Sequence, residues 1–122
     1  MTDMSVEQWK AKAAALAIRS QAFIDGRFVD AVSGKTFSCI NPATGALLAE
    51  VAEGDQADID LAVRAARRAF EDGRWSRMPP GDRKAVLLKL AELIRANLTE
   101  MALLDSLDMG KLVKDAATID AP

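Results

Sequence analysis

Residues 37–55 read Phe-Ser-Cys-Ile-Asn-Pro-Ala-Thr-Gly-Ala-Leu-Leu-Ala-Glu-Val-Ala-Glu-Gly-Asp, and this stretch predicts two short strands joined by a tight turn. Asn41 before Pro42 favours an extended residue followed by a fixed φ, and Gly45 can adopt the positive φ that closes such a turn. The run Glu53-Gly54-Asp55 then ends the second strand and begins a helix. No side chain in the stretch is an obvious catalyst, so its predicted role is architectural.

The segment before this pair of strands predicts another hairpin and a leading helix. Asp25-Gly26 lies between the apolar runs Phe23-Ile24 and Phe28-Val29, and this dipeptide favours the type I′ turn of a two-residue hairpin. Because an isolated hairpin is marginally stable in water, the two hairpins should pair with each other or lie on helices. Ser5 can cap a first helix over residues 6–19.

The pattern after Asp55 is helical. Asp55 and Asp58 predict an N-cap and its reciprocal acid for a helix over residues 56–71. Further helices are expected to begin near Pro80 or Asp82, at Asn97 or Thr99, and after Gly110, and Trp75 should dock against the core. The apolar positions of the first three helices are Ile59, Val63, Ala66 and Phe70, then Val86, Leu87, Leu90, Leu93 and Ile94, then Met101, Leu104 and Leu107, the last three predicted to face inward.

Composition limits the class of protein. With 122 residues, half of them hydrophobic, the chain can form one modest core. A net charge of −2 and the lack of a basic run argue against nucleic acid as a partner. The single cysteine cannot form an internal disulfide, and we find neither a signal peptide nor an apolar run of about 18 residues. We therefore expect a cytoplasmic protein with no membrane partner.

The chain contains no histidine and no tyrosine, which excludes Ser-His, Cys-His and His-rich metal sites within it. Its glycines do not form a phosphate-binding pattern. Cys39 could be a nucleophile, but beside Ile40 and without an activating histidine it is better interpreted as a packed thiol. Asp105 and Asp108 lie three residues apart on a predicted helix, where they could form a metal or acid–base pair or face solvent.

A set of short segments follows in a recognisable order from Phe23 onward. The segments are Phe23-Ile24-Asp25-Gly26-Arg27-Phe28, Ala31-Val32-Ser33-Gly34-Lys35-Thr36-Phe37, Asn41-Pro42-Ala43-Thr44-Gly45, Val51-Ala52-Glu53-Gly54-Asp55, Asp58 to Arg67, Phe70, Trp75, Arg83, Leu90 to Ile94 and Leu107-Asp108-Met109-Gly110-Lys111. In order and spacing they resemble the N-terminal portion of an NAD(P)-dependent aldehyde dehydrogenase. The leader helix and the sequence of residues 107–111 resemble the subgroup that acts on γ-glutamyl-γ-aminobutyraldehyde and related ω-amino aldehydes of polyamine breakdown. Leu112 departs from this pattern, because the family usually has proline there.

The resemblance implies an α/β fold, of which this chain would be the N-terminal part. It predicts a leader helix in residues 1–20, a β-hairpin segment in 21–54, and the helical segment of an incomplete cofactor-binding domain in 55–122. Three or four helices would pack on a Rossmann-like domain that is not present in this chain.

The resemblance also implies an activity for the full-length protein. It would oxidise an aldehyde to the carboxylic acid with NAD or NADP through a cysteine thioester, as a homodimer or homotetramer. The family's catalytic and dinucleotide-binding residues come later, so this chain holds no catalytic and no cofactor-binding residue and is inactive alone. A structural monovalent cation would be held by the main-chain carbonyls of Cys39 and Ile40 and by the carboxylate of Asp108.

A second hypothesis stays open at this point. The same lack of catalytic residues, together with apolar positions in residues 87–94 and 101–107, suits a truncated paralogue that acts as a non-enzymatic interaction module. The chain stops at Pro122 soon after a helix opening, so we expect that end to be a cut and favour the dehydrogenase interpretation.

Overall fold

A computed structural model describes residues 4–120 of the chain. The helices are α1 (Val6–Ala14), α2 (Gln56–Glu71), α3 (Pro80–Ala96), α4 (Leu98–Met109) and α5 (Val113–Asp115), which continues into a π-helical segment, Ala116–Asp120. The strands are β1 (Ala22–Ile24), β2 (Arg27–Val29), β3 (Thr36–Ile40) and β4 (Leu47–Ala52). The predicted order of a leading helix, two hairpins and following helices is confirmed. The prediction made at Pro122 lies outside the described residues.

The first hairpin has the turn that its sequence predicts. Strands β1 and β2 are antiparallel, with Phe23 opposite Phe28. Asp25 and Gly26 both have positive φ, 54° and 79°, as a type I′ turn requires. The two phenylalanine rings lie 5.0 Å apart between centroids. The two hairpins do not pair with each other, because β1–β2 and β3–β4 form separate two-stranded sheets.

Helix α2 begins and ends where the sequence predicts, at Gln56 and Glu71. Asp55 accepts a hydrogen bond from the main-chain N–H of Ala57, and Asp58 accepts one from that of Asp55, at 2.8 and 3.0 Å. Helix α1 is capped by Ser5 as predicted but ends at Ala14, five residues before the expected end at residue 19. The N–H of Leu16 bonds back to the carbonyl of Ala13, three residues away, so the helix closes in a tighter turn.

The described residues group into two compact units. Unit one holds residues 4–19, 39–49 and 93–120, and unit two holds residues 20–38 and 50–92. In unit one, α4 packs on the π-helical segment around Ala102, Leu103, Ala116 and Ala117, which are buried. The division of the chain at residues 20 and 54 stays a prediction.

Many of the apolar positions chosen from the sequence are exposed. Leu104 and Leu107 are half-buried, but Met101 faces solvent, and the buried positions of α4 are Ala102 and Leu103. Trp75, which the sequence predicts against the core, is 42% exposed and is therefore not buried. Exposed apolar side chains on α2 and α3 include Ile59, Val63, Phe70, Val86, Leu87, Leu90 and Leu93. Within residues 4–120, no helix is both long enough and apolar enough to cross a membrane.

Candidate cation site at the second hairpin

The structure brings Cys39 and Asp108 together within unit one. Cys39 lies near the end of β3 and is half-buried, and Asp108 lies in the last turn of α4. The thiol donates to Oδ1 of Asp108 with an Sγ–Oδ1 distance of 3.0 Å. Ile40, the last residue of β3, follows directly. Cys39 and Asp108, two of the three residues that the resemblance predicts for a cation, are therefore in contact although 69 residues separate them.

The turn after Ile40 is fixed by hydrogen bonds of Asn41. Its buried side chain accepts from the N–H of Ala43 at 2.9 Å, and its carbonyl accepts from the N–H of Gly45 at 2.8 Å. Its own N–H donates to the carbonyl of Ala46 at 2.8 Å. Gly45 has a φ of 72°, as the sequence predicts. These bonds hold the end of β3 in one conformation.

Gly110 lets the end of α4 approach this turn closely. It caps the helix in the left-handed conformation with a φ of 73°. A Cβ at this position would lie 3.1 Å from Cγ of Pro42, tighter than ordinary van der Waals contact. Both the conformation and the close approach therefore favour glycine. The contact places the last turn of α4, and Asp108 with it, beside the strand that leads into the turn.

The contact with Asp108 changes the chemistry of the Cys39 thiol. Its hydrogen bond to Asp108, with smaller contributions from burial and the carboxylate's charge, raises the pKa of Cys39 above its ordinary value. A raised pKa keeps the sulfur protonated and weakens it as a nucleophile at neutral pH. The geometry thus agrees with the interpretation of Cys39 as an unreactive thiol.

The residues present suit a hard monovalent cation better than a transition metal. Within residues 4–120, no group of three or more Cys, Asp and Glu side chains is arranged to hold a metal ion. A cation here would therefore depend on main-chain carbonyl oxygens together with one carboxylate, which are ligands that hard cations prefer. Asp105, the other acid of the predicted pair, is half-buried, and its carboxylate forms no hydrogen bond or ion pair within the described residues. The structure brings Asp108 rather than Asp105 to Cys39.

Sequence reasoning missed a second polar group on the same hairpin. Ser38 and Thr36 donate their hydroxyl hydrogens to the carboxylate of Glu50 across the two strands, at 2.6 and 3.3 Å. The spacing of Thr36 and Ser38 by two residues, which places both on one face of a strand, was the available signal. The pairing with Glu50 depends on the register of the two strands, which the sequence alone does not provide.

Comparison with known proteins identifies the family. Residues 28–122 match the family model described as the aldehyde dehydrogenase family. The chain belongs to the aldehyde dehydrogenase family. The resemblance inferred from the sequence is confirmed, and so is the fold, since solved family members superpose on 98% of this chain.

Three relatives illustrate the match. An aminoacetaldehyde dehydrogenase of Pseudomonas aeruginosa is 51% identical over the whole of this chain. The crystal structure of a γ-glutamyl-γ-aminobutyraldehyde dehydrogenase from Burkholderia cenocepacia is 48% identical over 98% of this chain, with a TM-score of 0.96. An indole-3-acetaldehyde dehydrogenase of P. syringae, solved with NAD+ and IAA, is 45% identical over 98% of this chain, with a TM-score of 0.97.

The chain spans about a quarter of the length of these relatives, covering 25%, 24% and 24% of them. It therefore corresponds to an N-terminal portion of the family fold, as the sequence predicts. The comparisons offer no support for the alternative of a non-enzymatic paralogue. The activity of the whole protein, its substrates and its assembly are matters for proposal.

Proposed function

We propose that the full-length protein is an aldehyde dehydrogenase that oxidises an aldehyde to a carboxylic acid with NAD+ or NADP+. The observation that carries this proposal is the match across this chain to dehydrogenases of the family at 45–51% identity. When bound, the dinucleotide would accept a hydride from the substrate. In this proposal, the catalytic nucleophile and the dinucleotide-binding residues belong to the rest of the full-length protein. The residues of this chain form the hairpins and helices described above.

We propose an ω-amino or γ-glutamyl-amino aldehyde as the substrate. The names of two relatives, an aminoacetaldehyde and a γ-glutamyl-γ-aminobutyraldehyde dehydrogenase, support this class. A relative of nearly equal identity is named for indole-3-acetaldehyde, so that aldehyde is the natural competitor. Initial rates of NADH or NADPH formation by the full-length protein, with these three aldehydes, test the assignment. The proposal expects the highest kcat/KM with an amino aldehyde, and a preference for indole-3-acetaldehyde would overturn it.

We further propose that Asp108 and the main-chain carbonyls of Cys39 and Ile40 hold a monovalent structural cation. The proximity of Asp108 to β3, through the 3.0 Å contact with Cys39, supports this ligand set. In the full-length protein, we expect replacing K+ and Na+ by a bulky organic cation to lower the melting temperature.

In the Asp108→Asn variant, the exchange of K+ and Na+ for a bulky organic cation should no longer lower the melting temperature, because an amide has no charge to balance the bound cation. Asp105→Asn is the matched control, since Asp105 is on the same helix and its carboxylate forms no hydrogen bond with Cys39. If both variants and the wild type respond alike to the exchange of cations, the proposed ligand set is wrong.

The exposed apolar side chains of α2 and α3 suit a protein in which the rest of the chain covers these helices. We propose that this covering is the role of the cofactor domain. A homodimer or homotetramer and a cytoplasmic location stay predictions from the sequence and its family. Size-exclusion chromatography with light scattering on the full-length protein measures the number of subunits directly.

A further inference from the structure

A cleft of about 430 Å³ lies within unit two, between the first hairpin and the face of α2 that carries Leu61, Arg64 and Arg68. This volume falls within the range of small-molecule sites, about 300–1,000 Å³. Apolar side chains line part of it, with Ile24 and Val29 from the hairpin and Leu61 and Ala65 from α2. Three aspartates and three arginines line the remainder. The cleft is therefore amphipathic, with an apolar part and a charged part.

The three aspartates are already engaged with other groups of unit two. Asp58, which is 4% exposed, accepts from the main-chain N–H groups of Val32 and Asp55 at 2.9 and 3.0 Å. Asp25 forms an ion pair with Arg68 at 2.9 Å. The third, Asp30, accepts from the side-chain amide of Gln21 at 2.7 Å.

Two of the arginines are left without a partner. The guanidinium groups of Arg27 and Arg64 form no hydrogen bond or ion pair with any residue between 4 and 120. Arg64 lies one helical turn from both Leu61 and Arg68, so these three residues share one face of α2. Arg27 is the first residue after the tight turn of the hairpin. An arginine fork that lacks a partner is suited to bidentate binding of a carboxylate.

We propose that this arginine cleft binds a small organic monocarboxylate with an apolar body. Its carboxylate would pair with Arg64 and Arg27, and its hydrocarbon part would lie against Leu61 and Ile24. A purely inorganic anion would leave the apolar lining in water, and a neutral alcohol would leave both guanidinium groups unpaired. The three aspartates in the lining, Asp25, Asp30 and Asp58, disfavour ligands with several negative charges. The proposal does not depend on the aldehyde chemistry above.

Isothermal titration calorimetry of the full-length protein with hexanoate tests the proposal. We expect saturable binding, with weaker binding of acetate and of hexanol. Arg64→Gln or Arg27→Gln should weaken the affinity for hexanoate about tenfold, because each removes a charge-assisted contact. Arg64→Lys keeps the charge but loses the fork geometry, so its affinity should fall between those of the wild type and Arg64→Gln.

Arg67→Gln is the matched control, because Arg67 is an exposed neighbour on α2 that pairs with Glu71 outside the cleft. It should leave the affinity for hexanoate unchanged. Equal affinities of the wild type, Arg27→Gln and Arg64→Gln would place hexanoate elsewhere, for instance in the active site of the enzyme, and would overturn the proposal. A lack of saturable binding up to about 10 mM would also overturn it.

Discussion

At the scale of single residues, Asp58 joins two parts of unit two that are far apart in sequence. Its Oδ2 accepts from the N–H of Asp55 and completes the N-terminal cap of α2. Its Oδ1 accepts from the N–H of Val32, 26 residues earlier, in the loop after the first hairpin. Only the first of these contacts could be predicted, because capping is local whereas the second depends on how the hairpin and the helix pack.

The same two hydrogen bonds lead us to expect that the stability of unit two falls in acid. Hydrogen bonds from Asp55 and then Val32 hold the pKa of Asp58 below its ordinary value. Because the folded pKa is depressed, the stabilisation is present above the unfolded pKa, about 4, and is lost as the pH falls through the folded pKa. We expect Asp58→Asn to lower the melting temperature of the full-length protein at pH 7.

The difference in melting temperature between wild type and Asp58→Asn should shrink as the pH falls below about 4. Differential scanning fluorimetry across this pH range measures it. Asp30→Asn serves as a control, since Asp30 forms one exposed side-chain bond with Gln21. If the difference in melting temperature between the wild type and Asp58→Asn is constant with pH, the charge of the Asp58 carboxylate does not contribute to stability.

Gly110 provides a second test, because it combines backbone conformation with close packing. Gly110→Ala should cost about 1–2 kcal/mol for the left-handed conformation, plus the additional cost of the contact with Pro42. Gly45→Ala is a matched control with nearly the same φ, 72° against 73°, and no atom within 4 Å of an added Cβ. Urea unfolding should show the larger loss of unfolding free energy for Gly110→Ala. Equal losses of unfolding free energy in the two variants would mean that the end of α4 can move away from the turn.

At the scale of elements, local chemistry decides how much the sequence predicts. The bounds of α2 follow from its capping box, and the type I′ turn follows from Asp25-Gly26, because both depend on neighbouring residues. The end of α1 has no comparable stop signal, and the helix is shorter than its alanine content predicts. Helix α4 begins next to Asn97, one of the two starts that the sequence offers, but the Asn97 side chain makes no cap bond to this helix. It donates instead to the carbonyl of Leu93 at 2.8 Å.

The candidate cation site was predicted only through the family resemblance. Cys39 and Asp108 lie on different elements, and no spacing rule joins residues so far apart. Their proximity follows from the packing of Gly110 on Pro42 at the turn. The sequence gives no signal for the arginine cleft. Arg27 and Arg64 are far apart in the sequence and line the same cleft only because the first hairpin lies beside α2.

At the scale of the whole molecule, exposed apolar side chains outweigh the buried core of the described residues. The buried apolar residues are Ala31, Ala102, Leu103, Ala116 and Ala117. Large side chains such as Ile59, Phe70 and Leu87 are more than half exposed. Such extensive exposed apolar surface marks an interface in a stable protein. The exposed apolar surface is therefore better explained by a chain that forms part of the larger family fold than by an independently folding domain.

This surface predicts the behaviour of the 122-residue chain in isolation. It should bind a hydrophobic dye strongly, associate in a concentration-dependent manner, and unfold without a sharp cooperative transition. Dye fluorescence, light scattering and circular dichroism on the purified chain measure these properties. A monodisperse monomer with a cooperative thermal transition would show that the helices need no cover.

The most direct test of the central claim is the rate of NADH or NADPH formation by the full-length protein and its Cys39→Ser variant, with an amino aldehyde as substrate. Serine keeps a hydrogen-bond donor for Asp108 but removes the sulfur. We predict aldehyde-dependent turnover by both proteins, with kcat values within about twofold of each other, because the proposed function requires a nucleophile that lies outside this chain. Failure of the wild type to oxidise any aldehyde, or a loss of turnover by orders of magnitude in Cys39→Ser, would contradict the account.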